Sequence, residues 1–325
     1  MRVLLSSVGR RGYLVKYFKQ TLGKKGEVWG ADSSQYTPAF QYCDRAVLLP
    51  EVNEPDYADK IIQLCNDNKI DIVIPLIDTE LVVMAQQRQR FYDENITVVV
   101  SPLKTIQISF DKYLTYQFGK DNGIAVPKTF IDIDEALQSI SRGELNWPLL
   151  VKPRKGSASL GIILCQNESL LRFAFENCPQ PMIQQYIDSD EYGYDTFCDF
   201  DFRPISVFCK KKLLMRSGET DKAISTNDPQ LVDFGLKVAQ NLQIFGPADL
   251  DVIMDKDGPK LLEINPRFGG GYPCSHLAGA DFPAKLIAIR KGQKLTPDIG
   301  SYLSGIVMLK QDEIISPTNK NLKSI

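Results

Sequence analysis

Short β-branched runs and amphipathic stretches take turns through the first hundred residues, and that alternation restricts the fold more than any other feature of the chain. Apolar runs fall at Val3 to Ser7, Glu27 to Ala31, Ala46 to Leu49, Asp71 to Leu76 and Ile96 to Val100. Helical patterns separate them at Gly12 to Lys24, Tyr57 to Asn66 and Thr79 to Tyr92. Strands that alternate with helices must be joined by crossovers, so the expectation is a parallel sheet with helices on both faces. From Asp111 the rhythm changes. Helical segments at Asp111 to Asn122 and Asp132 to Ser141 precede a succession of β-rich runs: 149–152, 161–165, 182–187, 192–201 and 205–210. Strands following strands, with helices kept apart, read as α+β. The expected organisation is therefore an α/β domain over 1–110 and an α+β unit over 111–310. The last residues, 311–325, read as a frayed tail.

Composition removes several functional classes. The 325 residues carry 38 Lys and Arg against 40 Asp and Glu, so no excess of basic charge supports a general nucleic-acid binder. Seven cysteines with no Cys-x-x-Cys pair argue against a zinc or iron–sulfur site and against a disulfide framework. The opening MRVLLSSVGRRGYLVKY has too short an apolar run for a signal peptide or a membrane span. The expectation is a cytoplasmic protein.

Three segments could carry chemistry. In SSVGRRG a single glycine, Gly9, stands between Val8 and Arg10, and Asp32 ends the second strand. A dinucleotide loop needs two closely approaching glycines, so this reads as a tight βα turn. In LLVKPRKGSASLGI, Lys152 ends a β-run before a loop of small residues. Such a loop can turn its amides toward phosphate oxygens, but taken alone it reads better as a flexible hairpin loop.

The third segment is ADLDVIMDKDGPKLLEINPRFGGG. Its DKDGP turn lies between two apolar runs and predicts a hairpin. With residues 255–259 as the loop, Met254 faces Lys260 and Asp251 faces Glu263. Alternation along the second strand places Glu263, Asn265 and Arg267 on one side. Two carboxylates and an amide oxygen suit Mg²⁺, which keeps waters and is completed by substrate phosphates. Arg267 adds a fixed cation that can clamp a phosphoryl or carboxylate oxygen. By contrast, His276 and Cys274 read as structural, and Lys210 to Lys212 as a solvated strand end or turn.

EINPRFGGG and VKPRKGSASLGI, in their spacing, together with the opening MRVLLSSVGRRGYLVKYFK, resemble the ATP-grasp superfamily of ATP-dependent ligases. The likeness is strongest to the carbamoyl phosphate synthetase-like branch and covers about residues 1 to 300. It implies a two-lobed ATP-grasp fold after a Rossmann-like domain, with a small lobe at about 120–187 and a large lobe at about 188–310. It also implies that Lys112 and Lys152 contact phosphates beneath a flap of Gly156, Ser157, Ala158, Ser159 and Gly161. Gln184, Gln185, Tyr186 and Ile187 match the adenine hinge, and Glu191 the ribose-binding acid. Asp251, Glu263 and Asn265 match the magnesium ligands, and Arg267, with Lys152, the catalytic cations. Gln184 stands where many members have Glu, and Asp251 where Gln or Glu is frequent. Arg216, Lys222 and His276 are looser candidates for substrate or phosphate contact.

The activity implied is joining a carboxylate to an amine through an acyl phosphate, with release of ADP and phosphate. ATP and Mg²⁺, or Mn²⁺ in its place, would be the cofactors, and small molecules the partners, with no nucleic acid and no membrane. A homodimer stays open. Two alternatives are phosphorylation of bicarbonate or carbamate and a non-catalytic ATP-binding module.

Overall fold

The computed structural model describes residues 1–156, 161–316 and 322–324. Its N-terminal part runs β1 (Arg2–Ser6), α1 (Gly12–Leu22), β2 (Glu27–Asp32), β3 (Arg45–Leu48), α2 (Tyr57–Asn68), β4 (Ile72–Pro75), α3 (Asp78–Gln86), α4 (Arg88–Asp93) and β5 (Thr97–Val98). Its strands form one parallel sheet, and the single helical pattern at Thr79 to Tyr92 is broken in two at Gln87. Helices α5 (Leu103–Phe110) and α6 (Lys112–Asp121) lead away from it.

Next come β6 (Thr129–Phe130), α7 (Ile133–Ser141), β7 (Leu149–Pro153), β8 (Ile163–Cys165), α8 (Glu168–Asn177) and β9 (Pro181–Gln185). These strands make a four-stranded antiparallel sheet in the order β6-β9-β7-β8. The rest is β10 (Glu191–Cys198), β11 (Pro204–Arg216), β12 (Glu219–Thr226), α9 (Pro229–Asn241), β13 (Gly246–Asp255), β14 (Gly258–Asn265), α10 (Tyr272–Leu277), α11 (Phe282–Arg290), β15 (Val307–Leu309) and β16 (Leu322–Ser324). Strands β14-β13-β10-β11-β12-β15 form a second, larger antiparallel sheet. β16 pairs in parallel with β3 and completes the N-terminal sheet, where the sequence reads as a frayed end.

The larger sheet has two unlike faces. One carries Tyr194, Val207, Leu250 and Val252, which pack with Leu231 and Val238 of α9. The other begins apolar, with Phe197 and Phe208 joined to Phe268, Tyr272 and Phe282 and through them to Val3, Leu5 and Phe18. One apolar core thus runs from the N-terminal sheet into the larger antiparallel sheet, fixing their relation by area buried from water. Farther along the same face the side chains turn polar, and there the two antiparallel sheets enclose a cleft.

Candidate functional site

The cleft is built by local devices that the sequence encodes. Asp111 caps α6, accepting from the amides of Tyr113 (3.0 Å) and Leu114 (3.4 Å), and also receives Arg154 in a two-pronged bond at 3.1 and 2.6 Å. The amide of Lys112 donates to the Arg154 carbonyl at 2.9 Å. One aspartate therefore fastens the start of α6 to the end of β7 and brings Lys112 and Lys152 to the same cavity. Lys112 Nζ donates to the Gly156 carbonyl at 2.5 Å and lies 3.3 Å from Glu263 Oε1.

The hairpin of β13 and β14 pairs Asp251 with Glu263, as the sequence predicts, but by a different route. Its turn is tighter: Asp255 faces Gly258 and Met254 faces Pro259, one residue out of the predicted register. A bulge between Asp251 and Val252 on one side, with Leu262 as the extra residue on the other, restores the carboxylate pair. Glu263 is mostly buried, and burial pushes its carboxyl up while Lys112 pulls it down. Arg267 is gripped by Asp78 of α3, Nε to Oδ1 at 2.7 Å and Nη2 to Oδ2 at 2.9 Å. That bond keeps its guanidinium charged despite burial.

The run Lys210 to Lys212 is not a solvated end. β11 continues to Arg216, and Lys210 is fully buried on Asp195 at 2.5 Å, with Ser275 bonded to the same carboxylate. Burial opposes its charge, but Asp195 and Asp249 keep the ammonium's pKa above normal. Lys212, on the same face of the strand, reaches Asp251 Oδ1 at 2.6 Å and Glu191 Oε2 at 3.4 Å. Asp249, paired across the ladder with Asn265, is half-buried beside Asp251 and its pKa is pushed up to about 7, first by loss of solvation and then by that like charge. The alternations Lys210-x-Lys212 and Asp249-x-Asp251 are the sequence signals for this floor.

Close packing explains the glycines that follow. A Cβ on Gly269 would lie 2.4 Å from Asp249 Cγ, and one on Gly271 would lie 2.6 Å from Lys210 Cε. The chain can pass over the polar floor only without side chains at these points.

A cavity of about 270 Å³ is lined by Lys112, Lys152, Gly156, Gln184, Gln185, Tyr186, Ile187, Glu191, Asp251, Glu263, Asn265 and Arg267, with Lys212 and Asp249 added. Gln184 donates to Thr129 Oγ1 at 3.1 Å, and Gln185 Oε1 accepts from the Lys128 amide at 3.3 Å. Lys152 is 8% exposed and forms no hydrogen bond or ion pair among the described residues. Its ammonium is pushed down to about 8, chiefly by burial, with Glu263 opposing and Lys112 assisting the shift. Ser157, Ala158 and Ser159 lie outside the described residues, and Gly161 begins the chain again with φ +74°.

Three looser candidates fall elsewhere. Arg216 is bound to Asp312 at 2.5 Å and faces a separate cavity of about 480 Å³. Lys222 is exposed on β12. His276 stacks on Tyr17 with ring centres 3.7 Å apart, its Nδ1 is 3.2 Å from the Tyr272 hydroxyl, and burial lowers its pKa. At the first βα turn, Asp32 Oδ2 accepts from the Gly9 amide at 2.9 Å, so this acid secures the turn. The seven cysteines are free. Among the described residues no three His, Cys, Asp or Glu side chains form a metal cluster, and no helix is long and apolar enough to cross a membrane.

Comparison with known proteins agrees with this architecture. Residues 3–99 match the model of a PylC-like N-terminal domain, and residues 109–271, half of the chain, match that of the ATP-grasp domain. The carbamoyl-phosphate synthase of Methanobrevibacter smithii is 23% identical over 266 residues, 77% of this chain and 71% of that one. The arginine-specific carbamoyl phosphate synthase large chain of Bacillus subtilis is 21% identical over 232 residues, 68% of this chain but only 22% of that protein. The N5-carboxyaminoimidazole synthetase of Staphylococcus aureus, solved with ADP, superposes with a TM-score of 0.72 at 17% identity, covering 91% of this chain and 78% of that one. The ordered sheets, the shared cleft and the matched models lead to one assignment: the chain belongs to the ATP-grasp family of ligases.

Proposed function

We propose that this protein couples ATP cleavage to the joining of a small-molecule carboxylate and an amine. The observation that carries the reading is the single cleft that gathers Lys112, Lys152 and Arg267 with Asp251, Glu263 and Asn265. A substrate carboxylate oxygen attacks the γ-phosphorus of ATP, the bond to the β-phosphate oxygen breaks, and ADP leaves with that electron pair. The acyl phosphate formed is then attacked at carbon by the amine, which loses a proton as inorganic phosphate departs. Little covalent work falls to the protein; positioning and charge neutralisation carry the rate.

Lys112 and Lys152 supply cations for the phosphates, and Arg267, oriented by Asp78, faces the end where the phosphoryl group is transferred. Asp251, Glu263 and Asn265 fit Mg²⁺, whose donors are hard oxygens and whose remaining positions go to water and phosphate. Lys212 and Lys112 neutralise the two carboxylates here. When bound, the ion supplies positive charge to the phosphate oxygens.

ADP release measured over pools of carboxylic acids crossed with amines tests the reading. The expected result is turnover that needs both substrates and falls about 100-fold or more in Glu263→Ala. Turnover unchanged in Glu263→Ala removes the site assignment. Mg²⁺-dependent ADP binding without turnover on any pair would instead mark a nucleotide-binding module, and turnover on bicarbonate alone a carbamoyl phosphate synthetase-like activity.

A further inference from the structure

A second cavity, of about 420 Å³, opens from the phosphate end of the first. The two share Arg11, Gly156, Glu219, Glu263, Asn265 and Arg267, so a molecule in the second would lie beside the group being transferred. Its far wall is apolar: Ile77, Leu81, Ile106, Phe110 and Ile264. Resting on the ligase reading above, we propose that this cavity takes the carboxylate substrate, that Arg11 holds its carboxylate, and that the preferred acid is an apolar monocarboxylate without an α-ammonium group.

The charge inventory carries the argument. Each acid of the cavity has a cation already: Asp78 holds Arg267 at 2.7 Å, Glu219 is 3.3 Å from Lys310, and Glu263 is 3.3 Å from Lys112. Arg11 is in direct contact with none of them: its guanidinium makes no hydrogen bond or ion pair among the described residues, and its Nε is enclosed without a partner, although it lies close enough to Glu219 to help Lys310 hold that carboxyl, despite burial, below its ordinary range. Ser109 Oγ, in the same wall, is also enclosed and unpartnered. An entering carboxylate therefore meets a free two-pronged donor, whereas an entering ammonium meets no free carboxylate and must give up its water uncompensated.

This gives the SSVGRRG turn a purpose that a dinucleotide loop would not. Gly9 at φ +54°, pinned by Asp32, and the bond from the Val8 amide to the Ala31 carbonyl at 3.1 Å fold the turn so that Arg11 opens α1. The side chain lies back over Gly9, where a Cβ would be 3.7 Å from Arg11 Nη1, and continues to the shared boundary of the two cavities.

The test uses matched pairs that differ only by the α-ammonium: butanoate and 2-aminobutanoate, 4-methylpentanoate and leucine, 3-phenylpropanoate and phenylalanine. Each is titrated calorimetrically into the full chain saturated with Mg²⁺ and ADP. At least one plain acid should bind tenfold or more tighter than its amino counterpart. Arg11→Ala should lose tenfold or more of that affinity and Arg11→Lys an intermediate amount, while the Kd for ADP moves less than threefold. Equal or tighter binding of the amino acids, no binding of any acid, or unchanged affinity in Arg11→Ala would overturn the proposal. Should Arg11→Ala fail to fold, the Arg11→Lys variant and the wild-type pairs decide. Failure of ADP itself to bind removes the ligase reading and this proposal with it.

Discussion

Replacing Lys152 by methionine should make the protein more stable and worse at binding nucleotide. The side chain is 8% exposed, without a partner among the described residues, and its pKa falls from the ordinary 10.5 to about 8. At about 1.36 kcal/mol per pH unit, that drop amounts to about 3 kcal/mol spent on keeping a charged ammonium in place at neutral pH. Methionine has a similar length and no charge, so Lys152→Met should recover much of it. The sign fixes the pH window. The folded chain holds the proton less tightly than the unfolded chain, so the penalty is full below pH 8, shrinks as pH rises, and is gone near 10.5. Urea denaturation of both proteins at pH 7 and at pH 10 reads this directly. A variant that is less stable at pH 7, or one whose gain is the same at both pH values, would refute the reasoning.

Three further outcomes follow from the polar floor. Lys212→Met strips the cation from Asp251 and leaves it beside Asp249; the loss should be about 3 kcal/mol at pH 8 and smaller at pH 6, because Asp249, with a pKa near 7, takes up a proton there. Denaturation at the two pH values checks this. Gly269→Ala puts a Cβ 2.4 Å from Asp249 Cγ and should cost about 1–3 kcal/mol, seen as a lowered Tm. Asp78→Ala frees Arg267 and should reduce kcat about 10- to 100-fold with ADP affinity retained, a split that separates positioning from binding in steady-state and titration measurements.

What could be read in advance divides along a physical line. Alternation within one segment is local, so β1 to β5, the β13–β14 hairpin and the pairing of Asp251 with Glu263 are visible in the letters. The bulge at Leu262 is not, because a bulge only shows when two strands are laid side by side. The three lysines from 210 mislead for the same reason. A run of like charges reads as solvated until β10 and β13 bring Asp195, Asp249 and Asp251 to the same face. Asp78 belongs to the N-terminal sheet's own helix, and nothing near it in sequence points to Arg267, 189 residues away.

Those hidden partners change the meaning of the cations that were visible. Lys210 is matched by Asp195, Lys212 by Asp251, Lys112 by Glu263 and Arg267 by Asp78. A paired charge gains little from a further anion, because most of the attraction is already spent and the paired carboxylate repels the newcomer. Among the described residues around the two cavities, Lys152, Arg11 and the exposed Lys155 just past β7 have no such ion-pair partner. Arg11 stands on the boundary that the two cavities share, at the first turn of the N-terminal domain, and Lys152 lines the cavity of about 270 Å³ from the four-stranded sheet. The strongest electrostatic gain is therefore available to two anions held side by side, and a triphosphate next to a carboxylate is the arrangement that supplies them.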